Sequence, residues 1–436
     1  MNNLDQIYTL FLEHPVITID SRTATENSLF FALRGERFDG NKFASAALKS
    51  GCRYAIVDDP GIIPRGDHRY ILVDNVLNSL QNLAKMHREN LHIPVFGLTG
   101  SNGKTTTKEM MTRVLQKKFK VVATEGNFNN HIGVPLTLLR VNRETEFLVI
   151  EMGANHPGEI SFLCSIAQPE AGLITNIGKA HIEGFGSFEN VITAKSELYQ
   201  YLRNVEGLIF LNDDNHLLNQ LVTSGDKLIR YGTEMHSDFR FSPPTGRGRL
   251  NFLWHRPDGN EQVTTKVYGN YNHENAMAAI AVGSWYGVKH QDILDALSEW
   301  VPDNARSQIL TTGKNEIILD AYNANPTSMD QALHEFFRYN KEKKKVIVLG
   351  DMLELGHIAE EEHRKVLEFI RQENSAQTEV FLIGPLFGKF SELFPFHFFN
   401  STSSAADYFK SNPVLNKLIL LKGSRGMALE KLVTYF

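Results

Sequence analysis

The chain has 436 residues, which is too long for a single hydrophobic core and predicts roughly two to four domains. Hydrophobic residues make up 42% of the sequence and charged residues 22%, as in soluble globular proteins. A formal net charge of −5 provides no basic field for nucleic acid or acidic lipid, so we expect small polar substrates and no nucleic-acid partner.

Cysteine content and the N-terminal sequence bear on location. Cys52 and Cys164 are the two cysteines, too few for a disulfide framework or a thiolate metal site, which predicts a reducing compartment. The first residues lack the basic and then apolar pattern of a signal peptide, and no run of about 18 apolar residues occurs. We therefore expect a cytoplasmic protein that does not insert into a membrane.

Residues 1–92 predict a small mixed α/β domain, with strands in SLFFAL and YAIVDD and a helix over residues 78–90. The pattern changes in residues 93–302, where PVFGLTG, EFLVIEMG, AGLITNIG and GLIFLND alternate with amphipathic helical stretches. Near-continuous apolar strands of this kind predict a parallel sheet covered by helices on both faces. Ligands of such sheets bind beyond the carboxyl ends of the strands.

A hairpin and a second α/β alternation follow. LNFLWHRPDGNEQVTTKVYG predicts a hairpin around Asp258 and Gly259, and helices are predicted over residues 272–286 and 291–300. After Pro302, the runs NEIILDAYN, KKVIVLGDM, EVFLIG and KLILLKGS are each followed by a helical stretch. Residues 303–436 therefore predict a separate α/β domain.

The stretch GLTGSNGKTTTKEM lies between a predicted strand and a predicted helix. It is close to the phosphate-binding pattern G-x-x-x-x-G-K-[ST], but its first glycine is out of register by one residue. Backbone N–H groups in the turn from Gly100 to Gly103 form an anion site at the helix start, and Lys104 adds a positive charge. The hydroxyls of Thr105 and Thr106 are suitable partners for phosphate and Mg²⁺. The stretch therefore predicts nucleotide binding.

Three further polar residues follow predicted strands of the same sheet. Glu151 follows FLVI, His181 comes shortly after LITNIG, and Lys195 lies on the next helix. Singly, they could be a helix cap, a loop histidine and a surface cation. Together they predict a divalent metal site beside the phosphates.

Two polar loops have both a binding and a structural interpretation. GNFNNHIGVP contains Asn129 and Asn130, whose amides could either contact a sugar-like ligand or form a self-bonded turn. DAYNANPTSM places Asp320, Tyr322 and Asn323 at the end of a predicted strand. There they could face a nucleotide held by the central domain.

The sequence resembles the Mur ligase family, whose phosphate loop has the form T-G-x-x-G-K-[ST] that TGSNGKT matches. The resemblance covers nearly the whole chain. Further matching stretches are DSRTATENSLFFALRGERFDGNKF, GNFNNHIGVPLTLL, EMGANHPGEI, AHIEGFGSFENVITAKSEL, GNYNHENAMAAIAV, DAYNANPTSM, LGDMLELG and LLKGSRGM. Among them, EMGANHPGEI, AHIEGFGS, DAYNANPTSM and LGDMLELG are similar to the branch of the family that adds D-alanyl-D-alanine.

The resemblance implies an α/β fold of three domains: a small mixed domain for the UDP moiety, a central ATP-binding domain with a parallel sheet, and a C-terminal Rossmann-like domain. It also implies ATP-dependent amide formation in peptidoglycan synthesis. The terminal carboxylate of UDP-N-acetylmuramoyl-tripeptide would take the γ-phosphoryl group of ATP, and the amine of D-alanyl-D-alanine would then displace phosphate from the acyl phosphate. The implied cofactors are ATP and Mg²⁺, and relatives imply a monomer.

The resemblance also implies roles for individual residues. The nucleotide-binding positions are Gly100, Ser101, Asn102, Gly103, Lys104, Thr105, Thr106, Asn275, Arg306, Asp320 and Asn323. The catalytic positions are Lys104, Glu151, His181 and Lys195; Thr105 and Glu151 would bind one Mg²⁺ and His181 a second. Lys195 matches a lysine that relatives carry as a carbamate. The substrate positions are Ser21, Arg22, Asp39 and Gly40 near the uridine nucleotide, and Asn129 and Asn130 near the sugar-peptide.

The chain departs from the family pattern at Tyr271, where relatives often have histidine, and at Asn27, where glycine is common. The identity of the third peptide residue, meso-diaminopimelate or lysine, stays open. Two other classes of protein share part of this pattern. A folylpolyglutamate synthase-like ligase would share the nucleotide loop but lack the matching first 92 residues and DAYNANPTSM. A non-catalytic nucleotide switch would need neither a metal site nor a separate acceptor domain.

Overall fold

Sheets of four, nine and six strands follow one another along the chain. The computed structural model describes residues 3–36, 38–303, 305–373 and 378–436. In these ranges, no helix is both long and apolar enough to cross a membrane.

The N-terminal sheet has the order β1-β2-β5-β6, and all its neighbouring strands are parallel. The elements of this part are α1 (Asn3–Glu13), β1 (Ile17–Thr18), a 3-10 helix (Ser21–Thr23), β2 (Leu29–Phe31), β3 (Arg34–Gly35), β4 (Phe38–Asp39), a 3-10 helix (Gly40–Phe43), α2 (Ala44–Lys49), β5 (Tyr54–Val57), a 3-10 helix (Pro60–Ile62), β6 (Tyr70–Leu72) and α3 (Val76–Glu89). The side chain of Asn75 accepts from the Asn78 N–H and so caps the start of α3. The buried face of α3 also carries Arg88, which donates to the carbonyls of Ala167 and Gln168. This helix therefore connects the N-terminal part to the central part of the molecule, which contains the nine-stranded sheet.

The nine-stranded sheet forms the centre of the molecule. Its elements are β7 (Val95–Thr99), α4 (Lys104–Leu115), β8 (Val121–Ala123), α5 (Gly133–Leu138), β9 (Phe147–Glu151), α6 (Glu159–Ala167), β10 (Ala171–Ile174), α7 (Ile182–Phe185), α8 (Phe188–Asn204), β11 (Leu208–Asn212), α9 (His216–Asn219), β12 (Lys227–Gly232), β13 (Phe239–Phe241), β14 (Arg249–Arg256), β15 (Gly259–Tyr268), a 3-10 helix (Asn270–Asn272), α10 (His273–Trp285) and α11 (His290–Glu299). The strand order is β15-β14-β13-β12-β11-β10-β7-β9-β8. β7 is wholly buried and pairs in parallel with β10 and β9, with Thr99 opposite Ile174 and Leu98 opposite Glu151. This register brings the carboxyl ends of the three strands to one edge.

The C-terminal sheet has the order β16-β17-β21-β18-β19-β20 and is parallel except for β16. Its elements are β16 (Gln308–Thr311), β17 (Glu316–Asp320), α12 (Pro326–Arg338), β18 (Lys345–Gly350), a 3-10 helix (Gly356–Ile358), α13 (Ala359–Glu373), β19 (Thr378–Ile383), α14 (Pro385–Gly388), β20 (His397–Phe399), α15 (Thr402–Ser411), β21 (Leu418–Lys422) and 3-10 helices over Arg425–Met427 and Leu429–Tyr435. Asp320 lies opposite Lys422 across β17 and β21. The last residues of these two strands are therefore neighbours.

The predicted α/β fold with a central parallel sheet is confirmed. The predicted hairpin is also confirmed, since Arg256 pairs with Gly259 across a two-residue turn at Pro257 and Asp258. Sequence patterns did not predict the short strands β8, β13, β16 and β20, because three or four residues carry too little periodicity. The helix α1 was also not predicted. The domain limits 1–92, 93–302 and 303–436 stay a prediction.

Candidate active site

A cavity of about 270 Å³ lies between the central and C-terminal sheets. It gathers most of the residues predicted from sequence to bind nucleotide, metal or substrate. Those that line it are Ser101, Asn102, Gly103, Lys104, Thr105, Thr106, Asn129, Glu151, His181, Asn275, Arg306, Asp320 and Asn323. Residues up to 223 positions apart, such as Asn102 and Asn325, are in direct hydrogen-bond contact here.

Two glycines give the phosphate loop its shape. Gly100 has φ +148° and Gly103 has φ +76°, and both conformations are rare for residues with a side chain. A Cβ atom on Gly100 would lie 1.9 Å from Thr175 Oγ1, and one on Gly103 would lie 2.4 Å from Asn275 Oδ1. The loop therefore requires glycine at both positions for conformation and for space.

The residues that follow β10 support the phosphate loop through hydrogen bonds. The Thr175 hydroxyl donates to the Asn102 carbonyl at 2.6 Å, and the Asn102 N–H donates to Asn176 Oδ1 at 3.0 Å. The side-chain Nδ2 of Asn102 is buried without a hydrogen-bond partner among the described residues. A buried donor of this kind at a cavity wall is suited to a polar ligand. Asn176 was missed from sequence, although its place at a strand end in LITNIG was a usable signal.

Lys104 begins α4 and folds back over the loop. Its Nζ donates to the Gly100 carbonyl at 2.6 Å and to the Ser101 carbonyl at 3.3 Å. Burial lowers the pKa of Lys104, while the nearby carboxylate of Glu151 opposes that change. A partly buried ammonium beside this turn is positioned to bind phosphate oxygens.

Glu151 ends β9 with its carboxylate buried beside α4. The Thr105 hydroxyl donates to Oε2 at 3.0 Å and to Oε1 at 3.2 Å, and Asn129 Nδ2 donates to Oε1 at 2.9 Å. The adjacent Asn130 accepts from the N–H groups of Ile132 and Gly133, forming a turn before α5. The two predicted asparagines therefore differ: Asn129 reaches the site, whereas Asn130 shapes the loop.

His181 also lines the cavity and has a left-handed backbone conformation with φ +56°. Its Nδ1 is 2.6 Å from Oε2 of Glu354, which belongs to the C-terminal part. This hydrogen bond lowers the pKa of the Glu354 carboxyl. The sequence prediction did not include Glu354, because its proximity depends on how the two parts pack.

Lys195 lies in α8 behind the cavity rather than on its wall. The residue is 1% exposed, and its Nζ donates weakly to the Ala154 carbonyl at 3.4 Å. Burial and then the charge of Lys104 lower the pKa of Lys195 to about 7, although Glu159 and Glu197 oppose the change. A large fraction of this amine is therefore neutral near pH 7, which is the form that adds carbon dioxide.

Asn275 lies in the first turn of α10 and lines the cavity. Its Oδ1 accepts from the Thr107 hydroxyl at 2.9 Å, and its Nδ2 donates to Asn272 Oδ1 at 2.8 Å. Tyr271, the position at which relatives often have histidine, shares a 2.8 Å hydrogen bond with the Ser307 hydroxyl. The tyrosine thus links the central part to the start of the C-terminal part.

The C-terminal wall is built on the ends of β17 and β21. Asp320 accepts from Lys422 Nζ at 2.5 Å and from the Ser307 N–H at 3.1 Å. The guanidinium of Arg306 lies 3.4 Å from the ring centroid of Tyr322, a cation–π contact. Lys422 was missed from sequence, yet a lysine at the end of the apolar run LILLK is unusual enough to be a signal.

Asn323 and Asn325 occupy the loop before α12. Asn323 Oδ1 accepts from the Ala324 N–H, and Asn325 caps α12 through a reciprocal bond with Ser328. The amide of Asn325 also donates to Asn102 Oδ1 at 2.7 Å. This contact joins the phosphate loop directly to the C-terminal part.

The four N-terminal substrate positions do not line this cavity. Ser21 and Arg22 form a 3-10 helix, and the exposed Arg22 pairs with Asp20 at 2.6 Å. Asp39 accepts from the Asn41 N–H, and a Cβ atom on Gly40 would lie 2.4 Å from the Leu33 carbonyl oxygen. These contacts give structural reasons for the residues, and their role in substrate binding stays a prediction.

The polar groups around Glu151 are suited to a magnesium ion whose other ligands are mainly the phosphate oxygens of a nucleotide. Within the described ranges, no group of three or more His, Cys, Asp or Glu side chains is placed to hold a metal. Mg²⁺ does not require such a cage, since it usually keeps waters and binds through one or two carboxylates together with substrate phosphates. Glu151 with the Thr105 hydroxyl provides that donor set beside the phosphate loop.

Comparison with protein families gives consecutive matches along the chain. Residues 15–94 match the model described as Mur ligase family, catalytic domain, residues 98–283 match the Mur ligase middle domain, and residues 305–425 match the Mur ligase, glutamate ligase domain.

Individual relatives are similar over almost their whole length. The UDP-N-acetylmuramoyl-tripeptide–D-alanyl-D-alanine ligase of Bacillus subtilis is 37% identical, with 96% of this chain and 92% of the relative covered. That of Escherichia coli is 34% identical with the same coverage of 96% and 92%. A crystal structure of MurF from Acinetobacter baumannii superposes with a TM-score of 0.85 at 30% identity, covering 96% of this chain and 92% of that one. MurF from Thermotoga maritima, in complex with ADP, gives a TM-score of 0.83 at 25% identity, covering 100% and 98%.

Proposed function

The chain belongs to the Mur ligase family, and we propose that it joins D-alanyl-D-alanine to UDP-N-acetylmuramoyl-tripeptide at the expense of ATP. The product would be the UDP-linked pentapeptide precursor of peptidoglycan. The observation that carries the proposal is the shared cavity, in which the phosphate loop, Glu151 and the C-terminal strand ends meet. Relatives that carry out this named reaction match over at least nine-tenths of this chain.

The residues of the cavity suit the activation of a carboxylate by phosphoryl transfer. A carboxylate is a poor electrophile, and transferring a phosphoryl group to it brings anions together, so the reaction needs cations and N–H donors around the phosphates. Lys104 and the loop from Gly100 to Gly103 supply them on one side, and Arg306 and Lys422 add positive charge on the other. An acyl phosphate would then be attacked by the amine of the dipeptide.

Magnesium would neutralise the phosphate charge when bound, with Thr105 and Glu151 as one set of protein ligands and His181 as a ligand at a second position. Thr105 and Asn129 orient the Glu151 carboxylate through hydrogen bonds. Asn275, Asp320 and Asn323 would contact the adenosine and phosphate portions of the nucleotide, and Lys195 would act as a carbamate. Ser21, Arg22, Asp39 and Gly40 would contribute to uridine nucleotide binding.

Several properties of the protein stay predictions. A cytoplasmic location, a monomeric state and carbamylation of Lys195 rest on the sequence and on the family. The third residue of the tripeptide is left open between meso-diaminopimelate and lysine, and parallel assays with the two tripeptides would identify it.

Phosphate release by the purified protein tests the proposed reaction. We expect release that requires both UDP-N-acetylmuramoyl-tripeptide and D-alanyl-D-alanine, with mass spectrometry detecting the pentapeptide. Activity with folate and glutamate in place of these substrates would overturn the proposal. Nucleotide binding without turnover would instead identify a switch.

A further inference from the structure

The contact between His181 and Glu354 crosses from the central part to the C-terminal part. Two features distinguish it from an ordinary surface ion pair. Both residues adopt left-handed backbone conformations, with φ +56° for His181 and φ +62° for Glu354, which are uncommon for residues other than glycine. The two segments also meet through the backbone, since the Glu183 N–H donates to the Glu354 carbonyl at 3.2 Å.

The loop that carries Glu354 is fixed by its own part of the molecule. The Met352 N–H donates to His363 Nε2 at 3.0 Å, and the Leu353 N–H donates to the Ser424 hydroxyl at 2.8 Å. The carbonyl of Asp351 also accepts from the Ser424 N–H at 3.2 Å. The position of the Glu354 carboxylate relative to His181 is therefore set by how the C-terminal part docks on the central part.

Stability does not account for this contact. The Glu354 side chain is 57% exposed and that of His181 is 25% exposed, and exposed ion pairs contribute little to folding free energy. A carboxylate hydrogen-bonded to one ring nitrogen, however, fixes the tautomer and the orientation of a histidine whose other nitrogen binds a ligand. His181 lines the cavity, and Glu354 engages its Nδ1.

We propose that Glu354 is a positioning residue that prepares His181 for the cavity when the C-terminal part is docked. With Nδ1–H donated to Glu354, the lone pair of Nε2 is left for a cation or a polar group in the cavity. The histidine is then correctly oriented only in the docked arrangement, which couples docking to the completion of the site. This inference rests on the metal-binding role proposed for His181.

Binding of Mn²⁺, used in place of Mg²⁺ in the presence of ADP, tests the proposal without turnover. The concentration of free Mn²⁺ would be followed by electron paramagnetic resonance in the full-length protein. We expect Glu354→Ala to weaken the binding of one Mn²⁺ by about 10- to 100-fold. Glu354→Gln should lose less, because its amide oxygen still accepts from Nδ1–H. His181→Ala should weaken binding at least as much as Glu354→Ala.

Glu362→Gln provides the matched control. Glu362 forms another ion pair between the two parts, at 3.0 Å from Lys179 Nζ, and its carboxylate also pairs with Lys365, whereas His181 pairs with Glu354. We expect this variant to bind Mn²⁺ like the wild type, whereas equal weakening in both variants would assign the effect to docking alone and overturn the proposal. Normal binding by Glu354→Ala with weak binding by His181→Ala would also overturn it. Normal binding by His181→Ala would overturn the role proposed for His181 itself.

Discussion

Lys104 contacts the turn that would hold the phosphates, with its Nζ 2.6 Å from the Gly100 carbonyl oxygen. We predict that Lys104→Ala lowers the rate of phosphate release by at least about 100-fold, because the charge that develops on the transferred group would lose its main protein counterion. Lys118→Ala is the control, since Lys118 lies beyond the far end of α4 and donates to the Tyr286 carbonyl. Near-normal release by Lys104→Ala would contradict the role assigned to the loop.

Lys195 is too deeply buried to act as a simple surface cation. We predict that Lys195→Ala is nearly inactive and regains part of its activity when formate or acetate is added, because these ions could replace the carbamate oxygens. Lys195→Arg serves as the control: it keeps a cation but cannot form the same carbamate, and it should stay inactive. Full activity of Lys195→Ala without added carboxylate would contradict the prediction.

His273 gives a pH-dependent prediction about stability. Burial lowers its pKa to about 4, below its usual value of about 6.5. Because the unfolded chain then binds the proton more tightly, the stability of the fold decreases as the pH falls from about 6.5 towards 4, by up to about 3 kcal/mol. The midpoint of thermal unfolding should be measured for the wild type and for His273→Gln at several pH values. The difference between the two midpoints should become smaller as the pH falls. A difference that is constant over this range would contradict the assignment.

The sequence was most informative where a residue acts through its neighbours in the chain. Lys104 and Thr105 line the cavity, and the sequence could place them at the phosphate loop because this loop is a local structure at a strand-to-helix junction; their role in nucleotide binding stays a prediction. Lys422 was missed because its partner Asp320 lies 102 positions away and meets it only through the pairing of β17 with β21. Glu354 was missed for the same reason, since packing between two parts of the molecule brings it to His181.

At the scale of elements, the turn between β7 and α4 depends on Gly100. We predict that Gly100→Ala abolishes nucleotide binding, because its Cβ would lie 1.9 Å from Thr175 Oγ1 and φ would stay at +148°. Gly259→Ala is a matched control: φ there is +137°, but no atom lies within 4 Å of the added Cβ. Equilibrium binding of ADP by both variants measures the effect. Similar losses in the two variants would show that backbone strain, rather than the crowded loop, is responsible.

The strands of the structure differ in how well a sequence pattern predicts them. β7 is buried over all five residues, so its apolar run predicts a strand between helices. β14 and β15 alternate exposed and buried residues and frame a two-residue turn, which is a strong hairpin signal. β13 and β20 have three residues each, and their pairing with longer neighbours stabilises them more than any local preference.

At the scale of the whole molecule, the cavity is lined by residues at or beyond the carboxyl ends of strands in two different sheets. Lys104 at the start of α4 and Glu151 at the end of β9 belong to the central part, while Asp320 and Lys422 end strands of the C-terminal sheet. The contacts that join the two sides are polar, such as the bond between Asn102 and Asn325 and the ion pair between Lys179 and Glu362. Polar contacts of this kind favour reversible docking over a permanent interface.

We predict that ligands which touch both sides shift the population towards this docked arrangement. X-ray scattering should show a smaller radius of gyration when a non-hydrolysable ATP analogue and the UDP-linked tripeptide are both present. Lys104→Ala should lack the change, because the nucleotide would no longer be held on the central side. Asn325→Ala, which removes the amide that reaches the phosphate loop, should require more ligand to reach the same radius. A radius that does not respond to ligands in the wild type would mean that the two sides are docked permanently, and Glu354 would then orient His181 at all times rather than on closure.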